Sequence, residues 1–262
     1  MFRACGFPWT YVESSLSGRL SRDYFKDVKS FALFIGHRCP ATELIHSLLN
    51  ADPRISLGCG PSGMQYVRYG YKRNQLLWLI QSSVSRPDFS VRVLPTVIGD
   101  ANASKSMHVL KRSPNAVKIL RHRLGLPIRF VYVVSDPFNA ISAIHQRSTF
   151  APLKSVANKY LQRCETTSRL IESSDDVLTV HMEDVAESPE LWLPKIVRHL
   201  GLEPHHAHIN TCAEFVRDHR PMTSDTNTWP IEVVDLVTQR IDQYRFLRRY
   251  SELQPTGLAK AA

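Results

Sequence analysis

Along the chain, short uninterrupted apolar runs alternate with stretches in which apolar residues recur every three or four positions. The first run, Ser30-Phe31-Ala32-Leu33-Phe34-Ile35, stops at Gly36 and predicts a buried strand entering a loop at His37, Arg38, Cys39 and Pro40. Over residues 42–51 the pattern turns helical, with Leu44, Leu48 and Ala51 on one face and Thr42 placed to cap the first turn. Strand, loop and helix N-terminus in that order form a site for an anion, because unpaired backbone N–H groups and the helix dipole point the same way.

The same pattern repeats twice. Residues 129–134 read as a strand, Ser135-Asp136-Pro137-Phe138 as a turn, and Ile141, Ile144 and His145 as the start of a helix for which Asp136 is the N-cap and Pro137 the first residue. Residues 177–181 read as a strand leading through Met182-Glu183-Asp184-Val185 into a helix built on Leu191, Ile196, Val197 and Leu200 and stopped by Gly201. Strands alternating with helices predict an α/β fold, a mostly parallel central sheet flanked by helices on both faces.

Composition narrows this picture. At 262 residues and 43% hydrophobic the chain can bury one sizeable core. We expect a single domain over 30–254, an N-terminal extension over 1–29 and a disordered tail over 255–262. The net charge of +9 favours anionic ligands. Much of it lies in Lys105, Lys111, Arg112, Lys118, Arg121 and Arg123, either a basic rim that collects a nucleotide or a solvated helix face. No interleaving of aromatic and basic residues marks a nucleic-acid-binding module. The first thirty residues hold no apolar run long enough for a signal peptide or membrane span, so cytoplasmic residence is the expectation.

Five scattered cysteines suit a reducing compartment. Cys39, beside Arg38 at a helix start, would have a lowered thiol pKa and could act as a nucleophile, or it simply fills the loop. His37 and His46 flank the expected cleft and, with Glu43, are the acid–base candidates. His205, His208 and Cys212 could share a helix face as metal ligands, though a fourth ligand is not evident.

Residues 31–53, 97–142 and 177–204, together with Trp229-Pro230 and the closing Phe246-Leu247 near Tyr250-Ser251, resemble in order the blocks of the P-loop sulfotransferases. That family moves a sulfuryl group from 3′-phosphoadenosine 5′-phosphosulfate (PAPS), and the resemblance implies its three-layer fold. It also implies that Gly36, Ala41 and Thr42, with Arg38 one residue out of register, form the cradle for the 5′-phosphosulfate, and that Ser135, with Ser142 one position early, serves the 3′-phosphate. Several family positions are changed. Cys39, Pro40 and Ala41 stand for arginine, serine and glycine in the cradle, and Ser135 and Ala143 stand for the 3′-phosphate arginine and serine. Cys59 and Gly60 replace a His-Glu pair, and Ala101 replaces the lysine of a Gly-Asp-Lys motif. Pro40 removes a backbone donor, Ala41 resists left-handed backbone, and a hydroxyl does not reproduce a bidentate guanidinium. Two expectations follow. Either the chain transfers a sulfuryl group from PAPS to a hydroxyl or amine of a small molecule, or it has lost PAPS chemistry and uses the cleft for another small-molecule reaction or for binding.

Overall fold

In the computed structural model the described residues are 25–60, 63–67, 69–81, 94–113, 115–148, 150–218 and 229–251. Most of the expected extension (1–29) and all of the expected tail (255–262) lie outside them. Phe25 and Val28, assigned to that extension, are buried in the core.

Five strands are described: β1 (Ser30–Ile35), β2 (Ile55–Gly58), β3 (Val97–Asp100), β4 (Ile128–Val134) and β5 (Val177–His181). They form one parallel sheet in the order β2-β3-β1-β4-β5. Eleven α-helices accompany it among the described residues. They are α1 (Pro40–Asn50), α2 (Gly63–Tyr66), α3 (Arg73–Gln81), α4 (Ala103–Arg112), α5 (Ala116–Leu124), α6 (Pro137–Gln146), α7 (Leu153–Glu172), α8 (Met182–Glu187), α9 (Pro189–His199), α10 (His206–Asp218) and α11 (Ile231–Ile241). A single 3₁₀ turn follows at Arg248–Tyr250.

The apolar runs are continuous because both faces of the sheet are covered. Phe31, Leu33 and Ile35 of β1 and Phe130, Tyr132 and Val134 of β4 pack into one core with α3, α4, α5, α7 and α11. Ala32 and Phe34, with Val131 and Val133, pack on the opposite side against α1, α9 and α10. This period-two partition makes the three layers. Among the described residues no helix is long and apolar enough to cross a membrane.

Details of three sequence expectations change. Helix α1 starts at Pro40, two residues before the expected Thr42, because proline suits the first helical position, where its missing N–H costs nothing within the helix. Its buried face is Ala41, Thr42, Ile45, Leu48 and Leu49, while Ala51 is exposed. In α9 Leu193 takes the core position expected of Leu191, which is 73% exposed. The expected stop at Gly201 is present: with φ of 90° it lets Leu202 N–H reach Val197 O and Gly201 N–H reach Arg198 O.

The chain leaves β1 for β2 on one side of the sheet and leaves β4 for β5 on the other. Between β1 and β4 the winding reverses, and in open parallel sheets the crevice beyond the C-terminal ends at such a point is where ligands bind.

Candidate functional site

Gly36 opens the loop that follows β1. Its φ of 95° is a left-handed conformation, and a Cβ there would lie 2.3 Å from the ring of Tyr132 on β4. Tyr132 is fully buried and meets Phe246 edge-on at 4.9 Å, so it cannot retreat. The loop therefore rests directly on an aromatic floor.

His37 turns inward. Its Nε2 lies 3.0 Å from the carbonyl of Tyr160 on α7, and since a carbonyl only accepts, that nitrogen carries the proton. The imidazole stacks on the Tyr160 ring at 4.0 Å. Burial first, and the Arg163 charge second, hold its pKa at about 3. His37 is thus a neutral brace at ordinary pH, sealed at 3% exposure.

Thr42 does not cap α1. Its Oγ1 donates to His37 O at 2.8 Å and lies 3.3 Å from Cys39 Sγ, which ties the first turn back to the loop. Cys39 is the N-cap residue, buried and without a side-chain cap bond. Glu43 N–H bonds Cys39 O, and the N–H groups of Ala41 and Thr42 have no partner among the described residues. Among the described residues no non-glycine residue has positive φ, so Ala41 fits its helical position and the strain expected of it does not arise.

Two arginines cover this helix start. Arg38 Nε donates to Glu43 Oε1 at 2.9 Å, while Arg147, just past α6, donates through Nη1 and Nη2 to Oε1 and Oε2 at 3.0 and 2.8 Å. Arg147, and then Arg38, hold the Glu43 carboxyl below the usual carboxylate range against an opposing effect of burial. Arg147 carried no local signal in the sequence, since its partner Glu43 lies 104 residues away along the chain.

His46 sits further along α1, half-buried, with Nε2 3.0 Å from Leu57 O and 2.8 Å from Asn50 Nδ2. Beside it Asn50 clamps the end of β2, accepting from Leu57 N and donating to Leu57 O. The neighbouring corner is braced as well: Asn102, the N-cap of α4, donates to Cys59 O and Gly60 O, and Asp100 accepts from Asn102 N. The altered positions Cys59, Gly60 and Ala101 thus lie in one knot at the ends of β2 and β3.

Beyond β4, Ser135 is half-exposed and Asp136 caps α6 as expected, accepting from Asn139 N at 2.9 Å. Glu183 Oε1 accepts from Asp136 N, and its Oε2 accepts from the Tyr250 hydroxyl at 2.5 Å. That hydroxyl also lies 3.2 Å from His181 Nδ1, and Arg249 pairs with Asp184 at 2.7 Å. Burial, with the Glu183 charge adding to it, raises the Asp136 carboxyl despite the backbone bonds that oppose the shift. Ser142, inside α6, is buried, and its hydroxyl has no partner among the described residues.

The structure thus gathers Gly36, His37, Arg38, Cys39, Ala41, Thr42 and Glu43 at one helix start, with Ser135 and Ser142 on the neighbouring junction and His46 set back toward β2. His208 and Cys212 do share a face of α10, with Sγ 3.5 Å from Nε2. Burial pushes the Cys212 thiol up to about 11, and no group of three or more metal-ligating side chains exists among the described residues.

No protein-family model and no curated protein matches the chain. Solved structures do. The sulfotransferase domain of an olefin synthase from Synechococcus PCC 7002 superposes with a TM-score of 0.50 at 13% identity, covering 81% of this chain and 94% of that domain. A sulfotransferase from Alicyclobacillus acidocaldarius gives a TM-score of 0.48 at 11% identity, over 86% of this chain and 96% of that one. A mouse sulfotransferase complexed with PAP gives 0.49 at 10% identity, over 87% and 90%. The first of these shows that the chain has the sulfotransferase fold.

Proposed function

We propose that the chain binds PAPS at the start of α1 and transfers its sulfuryl group to a hydroxyl or amine of a small molecule. One observation carries this reading. At the switch point of a sulfotransferase fold, the first turn of α1 keeps two backbone N–H groups unpartnered, and Glu43 in the same turn holds two guanidiniums. A helix start of that kind is built for an anion.

The groups present suit the nucleotide at both ends, though by other means than the family pattern. At the sulfuryl end, Gly36 lets the backbone approach, Ala41 and Thr42 donate their N–H groups, and Arg38 and Arg147 exchange Glu43 for the incoming anion. At the 3′-phosphate end, the buried Ser142 hydroxyl lacks an acceptor and Ser135 adds a second hydroxyl.

PAPS supplies an activated sulfuryl group whose bond to the 5′-phosphate breaks as the acceptor oxygen or nitrogen bonds to sulfur. The chain's own work is then positioning, charge stabilisation and removal of one proton. His37 is sealed and a weak base, Glu43 is engaged by two arginines, and Cys39 is buried. His46, half-exposed with only neutral hydrogen-bond partners, is assigned the acceptor's proton.

Calorimetric titration of the full chain with 3′-phosphoadenosine 5′-phosphate tests the reading. Low-micromolar binding, about −8 kcal/mol, weakened about tenfold by Arg38→Ala, is the expected result. No heat at millimolar nucleotide overturns PAPS-dependent transfer.

A further inference from the structure

Helices α4 and α7 pack side by side, and a groove of 320 Å³ lies between them; its α7 wall adjoins the loop after β1 through Tyr160, on which His37 rests. Lys159, Gln162, Arg163 and Thr166 recur at helical spacing on one face of α7, and His108 and Lys111 face them from α4. Arg163 forms the inner wall. It is half-buried, and its Nη1 donates to Ser104 Oγ at 3.0 Å. A guanidinium has five N–H donors. Among the described residues no carboxylate pairs with Arg163, Lys111 or Lys159.

The acids that could have answered this charge are engaged elsewhere. Glu165, two residues from Arg163, pairs with Arg169, and Asp176 takes both Arg121 and Arg129. Helices α4 and α5 contain no acidic residue at all. Like charges at i and i+4, such as Lys159 and Arg163, destabilise a helix, and burying an unpaired guanidinium costs more. Burial alone pulls the pKa of Arg163 down, in keeping with a charge that lacks a counter-ion. Such a convergence of positive charge without a facing carboxylate favours an anion.

We propose that this groove binds the phosphate or sulfate ester group of a small molecule through Arg163, Lys111 and Lys159, a set distinct from Arg38 and Arg147. Its volume is at the low end of small-ligand pockets, about 300–1,000 Å³, which suits one ester on a body of sugar size. No aromatic ring other than His108 lines it, so nothing provides the stacking platforms of a single-strand nucleic-acid channel. The inference does not rest on the nucleotide reading, because Arg38 and Arg147 belong to the other site.

The test is calorimetry of the full chain with inorganic phosphate, inorganic sulfate, glucose 6-phosphate and glucose 6-sulfate, each against sodium chloride at matched ionic strength. Saturable binding is expected, with the two esters separating the two sources of the anion. The surface double variant Lys111→Gln/Lys159→Gln should weaken it about tenfold or more, while Arg38→Gln leaves it unchanged. Arg163→Gln should abolish it while the ligand-free thermal midpoint holds or rises, since a half-buried charge without a counter-ion has been removed. Binding that matches the chloride control, that survives Lys111→Gln/Lys159→Gln, or that is lost in Arg38→Gln overturns the proposal.

Discussion

The junctions after β1 and after β4 leave the same edge of the sheet and both begin a helix with proline, yet they treat the unpaired amides of that helix in opposite ways. At α6 the Asp136 carboxylate accepts from the first turn, and Glu183 and Tyr250 lock the turn to the end of the described chain. At α1 the N-cap is Cys39, no side chain accepts from the first turn, and the nearest carboxylate is given to two arginines instead. A helix start that closes on itself is a structural device, whereas one left open under positive charge is ready for an anion. The difference therefore locates the site without reference to any motif.

The strongest blow to the open junction is Gly36→Ala. Left-handed backbone and a clash with the immobile Tyr132 ring together should cost about 3 kcal/mol in equilibrium denaturant unfolding. A loss under about 1 kcal/mol would mean that Tyr132 yields and the loop is not set by its floor. At the closed junction Tyr250→Phe removes the donor to Glu183 and should cost about 2 kcal/mol by the same measurement, with no change in nucleotide binding. Equal stability would show the staple to be idle.

A matched pair of cap variants then sets the junctions against each other. Asp136→Ala deletes a working cap and should lose about 1 kcal/mol, whereas Cys39→Ser offers the free amides of α1 an acceptor and should gain about 0.5 kcal/mol. The same Cys39→Ser protein should bind 3′-phosphoadenosine 5′-phosphate more weakly, because its hydroxyl competes for the amides. Tighter binding would remove the amides from the site.

How far this contrast was legible beforehand follows from its physics. Local chemistry was readable: β1 and β5 have their expected bounds, and the Asp136 cap and the Gly201 stop act within a few residues of chain. The strands β2 and β3, four residues each, are too short for periodicity to show and exist by pairing with β1 and with one another. Thr42 was expected to cap α1, but its hydroxyl instead serves the His37 carbonyl. Whether His37 faces a cleft or a core is decided by Tyr160, and the partner of Glu43 is Arg147, residues 123 and 104 positions away along the chain. The groove between α4 and α7 was half visible as a basic segment; the other half, Lys159 and Arg163, only the fold brings to it.

The smallest effect discriminates most sharply. The Glu43 carboxyl is held below its unfolded pKa of about 4.3, chiefly by Arg147, so its contribution is present above that pH and is lost as pH falls through the lower folded value. Both partners are about half exposed, so Glu43→Gln should cost only a few tenths of a kcal/mol at pH 7, with the difference from wild type vanishing as pH falls through the lowered folded pKa. A neutral amide no longer holds the two guanidiniums, which are then free to meet an anion at the unpartnered amides of Ala41 and Thr42. Affinity for 3′-phosphoadenosine 5′-phosphate should therefore rise about threefold while stability falls, a pair of opposite signs that a purely structural ion pair would not give. Should affinity fall together with stability, Glu43 is what aims the arginines, and the open junction would be a second staple built with charges in place of caps.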